Sequence, residues 1–126
     1  SILEKLGYRA ESVPGGEAAV EFVRTQPVDL VLLDMIMSPG ISGRETYERI
    51  IHLHPGQKAI IVSGYAETED VRETLRMGAA AFLKKPMMIS DLATTIHSIL
   101  RAESGQANTP PGNNTVPPIS LGLLHQ

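Results

Sequence analysis

At 126 residues the chain has room for one domain, and folding at this size buries roughly two-thirds of the unfolded chain's surface. Apolar residues make up 42%, the formal net charge is only -3, and the 11 Lys and Arg are scattered, which excludes a basic nucleic-acid footprint and a membrane-surface patch. There is no cysteine, hence no disulfide and no thiolate metal site, and no apolar run approaches the roughly 20 residues that span a bilayer.

In chain order, residues 2–6 read as the end of a helix that Gly7 stops, and 8–13 as a weak strand. After Gly15 and Gly16, residues 17–25 offer Ala18, Ala19, Val20 and Val23 to one helix face. Residues 28–33 form the strongest strand, nearly all apolar, as expected of a strand covered on both faces. A helix over 43–53 groups Tyr47, Ile50 and Ile51, and a strand follows at 58–62. A helix over 67–77 places Val71 and Leu75 four apart and leaves Gly78 where a left-handed C-cap belongs. Residues 80–83 are a further strand, and Ser90 can cap a last helix whose face is Leu92, Ile96, Ile99 and Leu100. Residues 104–118 are rich in Pro, Gly and Asn and cannot bury enough surface to fold alone. The domain is therefore predicted over 1–103, with 104–126 a flexible tail carrying a short apolar end at 119–124. The chain opens on Ser1 without a signal peptide, which predicts a cytoplasmic protein and an N-terminus that starts partway into the domain.

Strands alternating with helices imply βαβ units and a parallel sheet, and such sheets place ligands beyond the carboxyl ends of their strands. The residues at those ends are Asp34, Ser63 and Lys85. A carboxylate there can attack phosphorus and form an acyl phosphate. Lys85 supplies a point positive charge for phosphoryl oxygens, and Ser63 a hydroxyl donor. Together they can hold an anionic phosphoryl group in transfer, with a divalent ion neutralising the charge between carboxylate and phosphate. Taken singly, an Asp ending a strand is usually a cap, Ser-Gly usually a turn, and Lys-Lys-Pro a solvated loop. The three together, each after a strand, favour a site.

The run Leu30, Val31, Leu32, Leu33, Asp34, the stretch Val62, Ser63, Gly64, Tyr65, and the stretch Phe82, Leu83, Lys84, Lys85, Pro86 resemble, in order and spacing, the three signatures of response regulator receiver domains. The resemblance covers 1 to about 103 and implies a flavodoxin-like doubly wound α/β fold with strand order 2-1-3-4-5. It implies Asp34 as phosphoacceptor, Ser63 as switch hydroxyl, Phe82 as switch aromatic, Lys85 as the family's lysine, the Ile36 backbone carbonyl as an Mg2+ ligand, and a cis bond before Pro86. Ile36 and Tyr65 would flank the phosphoryl group. The resemblance implies a histidine kinase or phosphotransfer domain as partner, and no reaction on a separate substrate.

Two departures stand out. The family's Met-Pro-x-x-x-Gly pattern here reads Met37, Ser38, Pro39, Gly40, Ile41, Ser42, Gly43, one residue longer. The family's first strand and the acidic pair at its end have no match before the first helix, so the sheet is expected to lack its central strand and the chain to bind Mg2+ poorly. Residues 116–124, a second copy in a swapped homodimer, or residues absent from this sequence are the candidates for that slot. Three functions compete: a phosphorylation switch, a pseudo-receiver that binds proteins without phosphotransfer, and a small nucleotide-binding or phosphatase-like enzyme. The last is weakest, because no glycine-rich phosphate loop occurs. His52 and His54 read as surface residues rather than zinc ligands, and Arg44, Glu45, Glu48 and Arg49 as a solvated helix face.

Overall fold

A computed structural model describes residues 2–5, 7–35, 40–64, 68–104 and 120–124. The short helix α1 (Ile2–Lys5) ends at Gly7, whose φ of 97° is open to glycine and strained for other residues. Strand β1 (Arg9–Val13), helix α2 (Gly16–Thr25), strand β2 (Leu30–Asp34), helix α3 (Gly43–Leu53), strand β3 (Ala59–Ser63), helix α4 (Glu69–Arg76), strand β4 (Ala81–Lys84) and helix α5 (Ile89–Ser104) then alternate, as the apolar periodicity predicts. Caps set two of the helix starts. The Ser42 hydroxyl accepts from the Glu45 N–H at 3.1 Å, and the Thr68 hydroxyl from the Val71 N–H at 3.3 Å. Helix α4 therefore begins after Thr68 and ends before Gly78, whose φ is 119°. Ser90 falls inside the first turn of α5 rather than capping it, because the Met88 carbonyl already accepts from Leu92 N–H at 3.1 Å.

The sequence analysis expected the sheet to lack its central strand, set 104–126 apart as a tail, and named 116–124 as one of three candidates for the slot. The structure seats the end of that candidate segment there. A tenth element, β5 (Ser120–Leu124), lies between β1 and β2 and parallel to both, giving the order β1-β5-β2-β3-β4. With β5 in the place of a first strand, this is the order 2-1-3-4-5. Arg9 to Val13 stand opposite Ser120 to Leu124 one by one, and Leu30, Val31 and Leu32 stand opposite Leu121, Gly122 and Leu123. The physical reason is the cost of an open slot. Two interior strand edges would each present unpaired N–H and C=O groups, at roughly 1–3 kcal/mol per buried group. Pro117 and Pro118 precede the strand in sequence, so neither removes a donor from its ladder.

Alternate side chains of β2 serve opposite faces, as the pleat requires. Val31 and Leu33 pack with Ala19 and Val23 of α2 and with Tyr47 and Ile50 of α3. Leu30 and Leu32 pack with Leu3, with Ile60 and Val62 of β3, and with Ile96 of α5. Each such buried side chain contributes roughly 1.5–3 kcal/mol, whereas the Arg–Glu pairs on α3 and α4 lie in solvent, where water screens them, and contribute little. The sheet and its two helix layers therefore hold the fold and fix where β2, β3 and β4 end. No helix among the described residues is long and apolar enough to cross a membrane.

Candidate functional site

Asp34, Ser63 and Lys84 are the last residues of β2, β3 and β4, so the parallel sheet delivers three adjacent chain ends to one edge. Ladder bonds continue past the strands. Met35 N–H donates to the Val62 carbonyl at 3.0 Å, and Lys85 N–H donates to the Ser63 carbonyl at 2.7 Å. The second bond ties Lys85 to the end of β3 and turns its side chain toward β2. Its ammonium Nζ donates to Asp34 Oδ2 at 2.6 Å. The peptide bond that follows, Lys85-Pro86, is cis, as the resemblance implied.

The two partners differ in exposure, and the difference is chemically useful. The Asp34 side chain is 6% exposed and that of Lys85 is 46% exposed. The carboxylate is thus held nearly out of water, with its cation at the rim. The charge-assisted bond aims one carboxylate oxygen at the ammonium and leaves the flexible lysine stem at the solvent edge of the site. Ser63 is buried beside this pair, one position beyond Val62, the register partner of Asp34. Phe82 is half-buried and packs against Met35, Ile61 and Val71 beneath α4. Ile36, Tyr65 and the extended loop at 37–39 lie outside the described residues.

Three further residues shape the site, Gly43, Glu17 and Thr46, of which only Gly43 figured in the sequence analysis. Gly43 begins α3 against the acceptor strand. A Cβ there would meet the Met35 Cα at 2.7 Å and the Asp34 carbonyl oxygen at 2.8 Å. Glu17, in the first turn of α2, accepts from Ile41 N–H at 3.3 Å and lies against Gly40, whose φ is 108°. It therefore clasps the far end of the loop that leaves Asp34. Thr46 is fully buried, donates to the Ser42 carbonyl at 2.7 Å, and leaves no room for a side chain at Gly16. Gly43 did carry a sequence signal, as the glycine that closes the family's pattern after the acceptor, here one residue further on. Glu17 carried none, because its partner lies 24 residues away.

An Mg2+ ion takes an octahedral set of oxygens, usually one or two carboxylates with waters. Among the described residues no three His, Asp or Glu side chains gather to hold a metal, and Asp34 is the one acidic residue ending β2, β3 or β4. The strand on its other side, β5, brings Leu124 to this edge, and the sequence continues with His125 and Gln126, not carboxylates. The described residues do not fit a complete Mg2+ site. The paired histidines do not supply another: both are exposed, and the His54 ring lies 2.9 Å from the Val23 carbonyl.

A family model described as the response regulator receiver domain matches residues 1–97. The transcriptional regulatory protein ZraR of Escherichia coli (strain K12) is 33% identical over 111 residues, which cover 87% of this chain and 25% of ZraR. Sporulation initiation phosphotransferase F of Bacillus subtilis (strain 168) is 29% identical, with 82% of each chain covered. A crystal structure of a CheY-like response regulator receiver domain protein from Methanospirillum hungatei JF-1 superposes with a TM-score of 0.78, at 32% identity and 82% coverage of each chain. The chain spans about a quarter of the length of several curated relatives it matches.

Proposed function

The chain belongs to the response regulator receiver domain family, and from that premise we propose that it is a phosphorylation-dependent signalling switch whose acceptor is Asp34. The observation that carries the reading is the 2.6 Å bond from Lys85 Nζ to Asp34 Oδ2 at the edge where β2, β3 and β4 end. The donor is the phosphohistidine of a histidine kinase or phosphotransfer domain, and the setting is cytoplasmic. An Asp34 carboxylate oxygen attacks phosphorus in line with the P–N bond. The P–O bond forms as the P–N bond breaks, and the imidazole leaves with its electron pair and takes up a proton. Lys85 moves from the carboxylate to a phosphoryl oxygen, and the Ser63 hydroxyl donates to another. Phe82 then follows Ser63 inward, changing the β4 surface that a partner reads.

Receiver domains generally bind Mg2+ at this site, where the ion neutralises charge during transfer. Here Asp34 and the Ile36 carbonyl would be its protein ligands, so weak binding and slow labelling are expected. The shortage of carboxylates also favours a second reading, a pseudo-receiver that binds partners through the same fold without phosphotransfer.

Incubation with phosphoramidate and Mg2+, followed by intact mass, tests both. The switch reading expects one added phosphoryl group, lost in Asp34→Asn and reduced but present in Lys85→Ala. Label that persists in Asp34→Asn overturns the site. No label at any time or Mg2+ concentration leaves the pseudo-receiver.

A further inference from the structure

Arg44 stands where local preference does not put a cation. It occupies the first turn of α3, the end at which a helix dipole favours acids, one position after the glycine that rests on the acceptor strand. Its guanidinium reaches out of its own helix. Nη1 donates to Asp70 Oδ1 at 3.2 Å, across 26 residues of sequence, while Nε lies 3.5 Å from Glu48 of α3. Glu73 of α4 acts on it as well. Asp70 is in the first turn of α4, where an acid suits the dipole, and α4 follows the strand that ends on Ser63. The pair therefore joins the starts of the two helices that follow the Asp34 and Ser63 strands.

The same two helix starts meet at Met35, the residue after Asp34. Gly43 N–H donates to the Met35 carbonyl at 3.4 Å, and a Cβ at Gly43 would stand 2.7 Å from the Met35 Cα. Val71, next to Asp70, is fully buried and packs with Met35 and Ile61. Met35 is thus held by α3 and by α4, and the Arg44–Asp70 bond closes the circuit between them. We propose that Arg44 is a positioning residue for Asp34: its bond to Asp70 clamps both helix starts on Met35 and so fixes the end of the acceptor strand. The rate readout of this inference rests on the switch reading above, and the geometric one does not.

The clamp acts on geometry more than on stability. Its side chains are 41% and 56% exposed, so water screens the pair and its loss leaves the fold intact. Phosphoryl transfer to a displaced carboxylate loses in-line approach, to which rate is steeply sensitive. The expected slowing is about three- to fivefold, the bias that one exposed pair can exert.

Arg44→Gln, Asp70→Asn, the double variant, and the exchanged pair Arg44→Asp with Asp70→Arg are compared with Arg49→Gln, which breaks a 2.8 Å bond to Glu45 inside α3 alone. Labelling is followed across phosphoramidate concentration. Each single variant should lower the maximum rate by the factor above at an unchanged half-saturating donor concentration. The double variant should lose no more than either single one, and the exchanged pair should recover most of the loss. Arg49→Gln should label as the unsubstituted chain does. Additive losses, or an equal loss in Arg49→Gln, would overturn the proposal. A raised half-saturating concentration at an unchanged maximum rate also contradicts it, because Arg44 would then serve to attract the anionic donor. The Met35 methyl resonance, assigned with the near-isosteric Met35→Leu, supplies a readout that needs no phosphorylation. It should shift in both single variants, return in the exchanged pair, and stay in place in Arg49→Gln. A signal that Arg44→Gln leaves unmoved sinks the clamp, whereas a shifted signal in a chain that takes no label keeps the clamp and sinks the switch reading.

Discussion

The β2–β3–β4 half of the sheet and the β1–β5 half are built by different rules. In the first half, β2 and β3 are buried along their whole length, join through short βα units, and end on the residues that carry the chemistry. In the second, β1 is exposed or half-buried throughout, and its inner neighbour arrives from the far end of the chain. The contrast shows where specification comes from. An apolar run bounded by helices determines its own place. An edge determines only that something must cover it.

The largest expected effect separates the two halves directly. Leu33→Ala removes a fully buried side chain between α2 and α3 and should cost about 3–4 kcal/mol in urea unfolding. Val13→Ala, half-buried in β1, should cost no more than about 1.5 kcal/mol. Comparable losses would break the contrast.

Gly43→Ala comes next. Its Cβ would press on the backbone of Met35 and Asp34, so the acceptor strand must move, at about 1–3 kcal/mol. The same variant should slow phosphoryl labelling more than Leu33→Ala does, measured where both remain folded. Normal labelling with normal stability would show that the site tolerates a shifted Asp34.

Thr68→Ala removes the α4 cap and should cost about 1 kcal/mol, read as a shift in the unfolding midpoint at unchanged slope. The smallest effect concerns pH. Burial holds the Tyr47 phenol above its ordinary value of 10.0, so the folded state keeps a proton that the unfolded state releases first. Stability from this group is complete below that value and declines as pH rises beyond it. Tyr47→Phe should flatten the decline, and an identical alkaline slope in the variant would assign it elsewhere, Tyr8 included.

Legibility in the sequence follows the same division. The apolar run at 28–33, the helix faces around Ile50, Val71 and Ile96, and the stops at Gly7 and Gly78 were readable because each is encoded within a few residues. The convergence of Asp34 and Lys85 followed from topology, since parallel strands deliver their ends to one edge. The place of β5 was not readable with the same force. Its pairing spans more than 100 residues in sequence to β1, and Gly122 with Pro117 and Pro118 argue locally against a strand. The clasp of Glu17 on Ile41 was hidden for a similar reason: one carboxylate on a helix start reads as a favourable dipole partner and nothing more. Metal binding stood out as a missing partner, the acidic pair, rather than as a present one.

Chemical trapping of the labelled side chain tests the central claim most directly. Borohydride reduces an acyl phosphate to an alcohol, marking permanently the carboxyl group that carried the phosphoryl group. After treatment with phosphoramidate and Mg2+, then borohydride, peptide sequencing should find the reduced side chain at Asp34. Reduction at Glu17, Asp29 or any other carboxylate, with Asp34 untouched, would contradict the account.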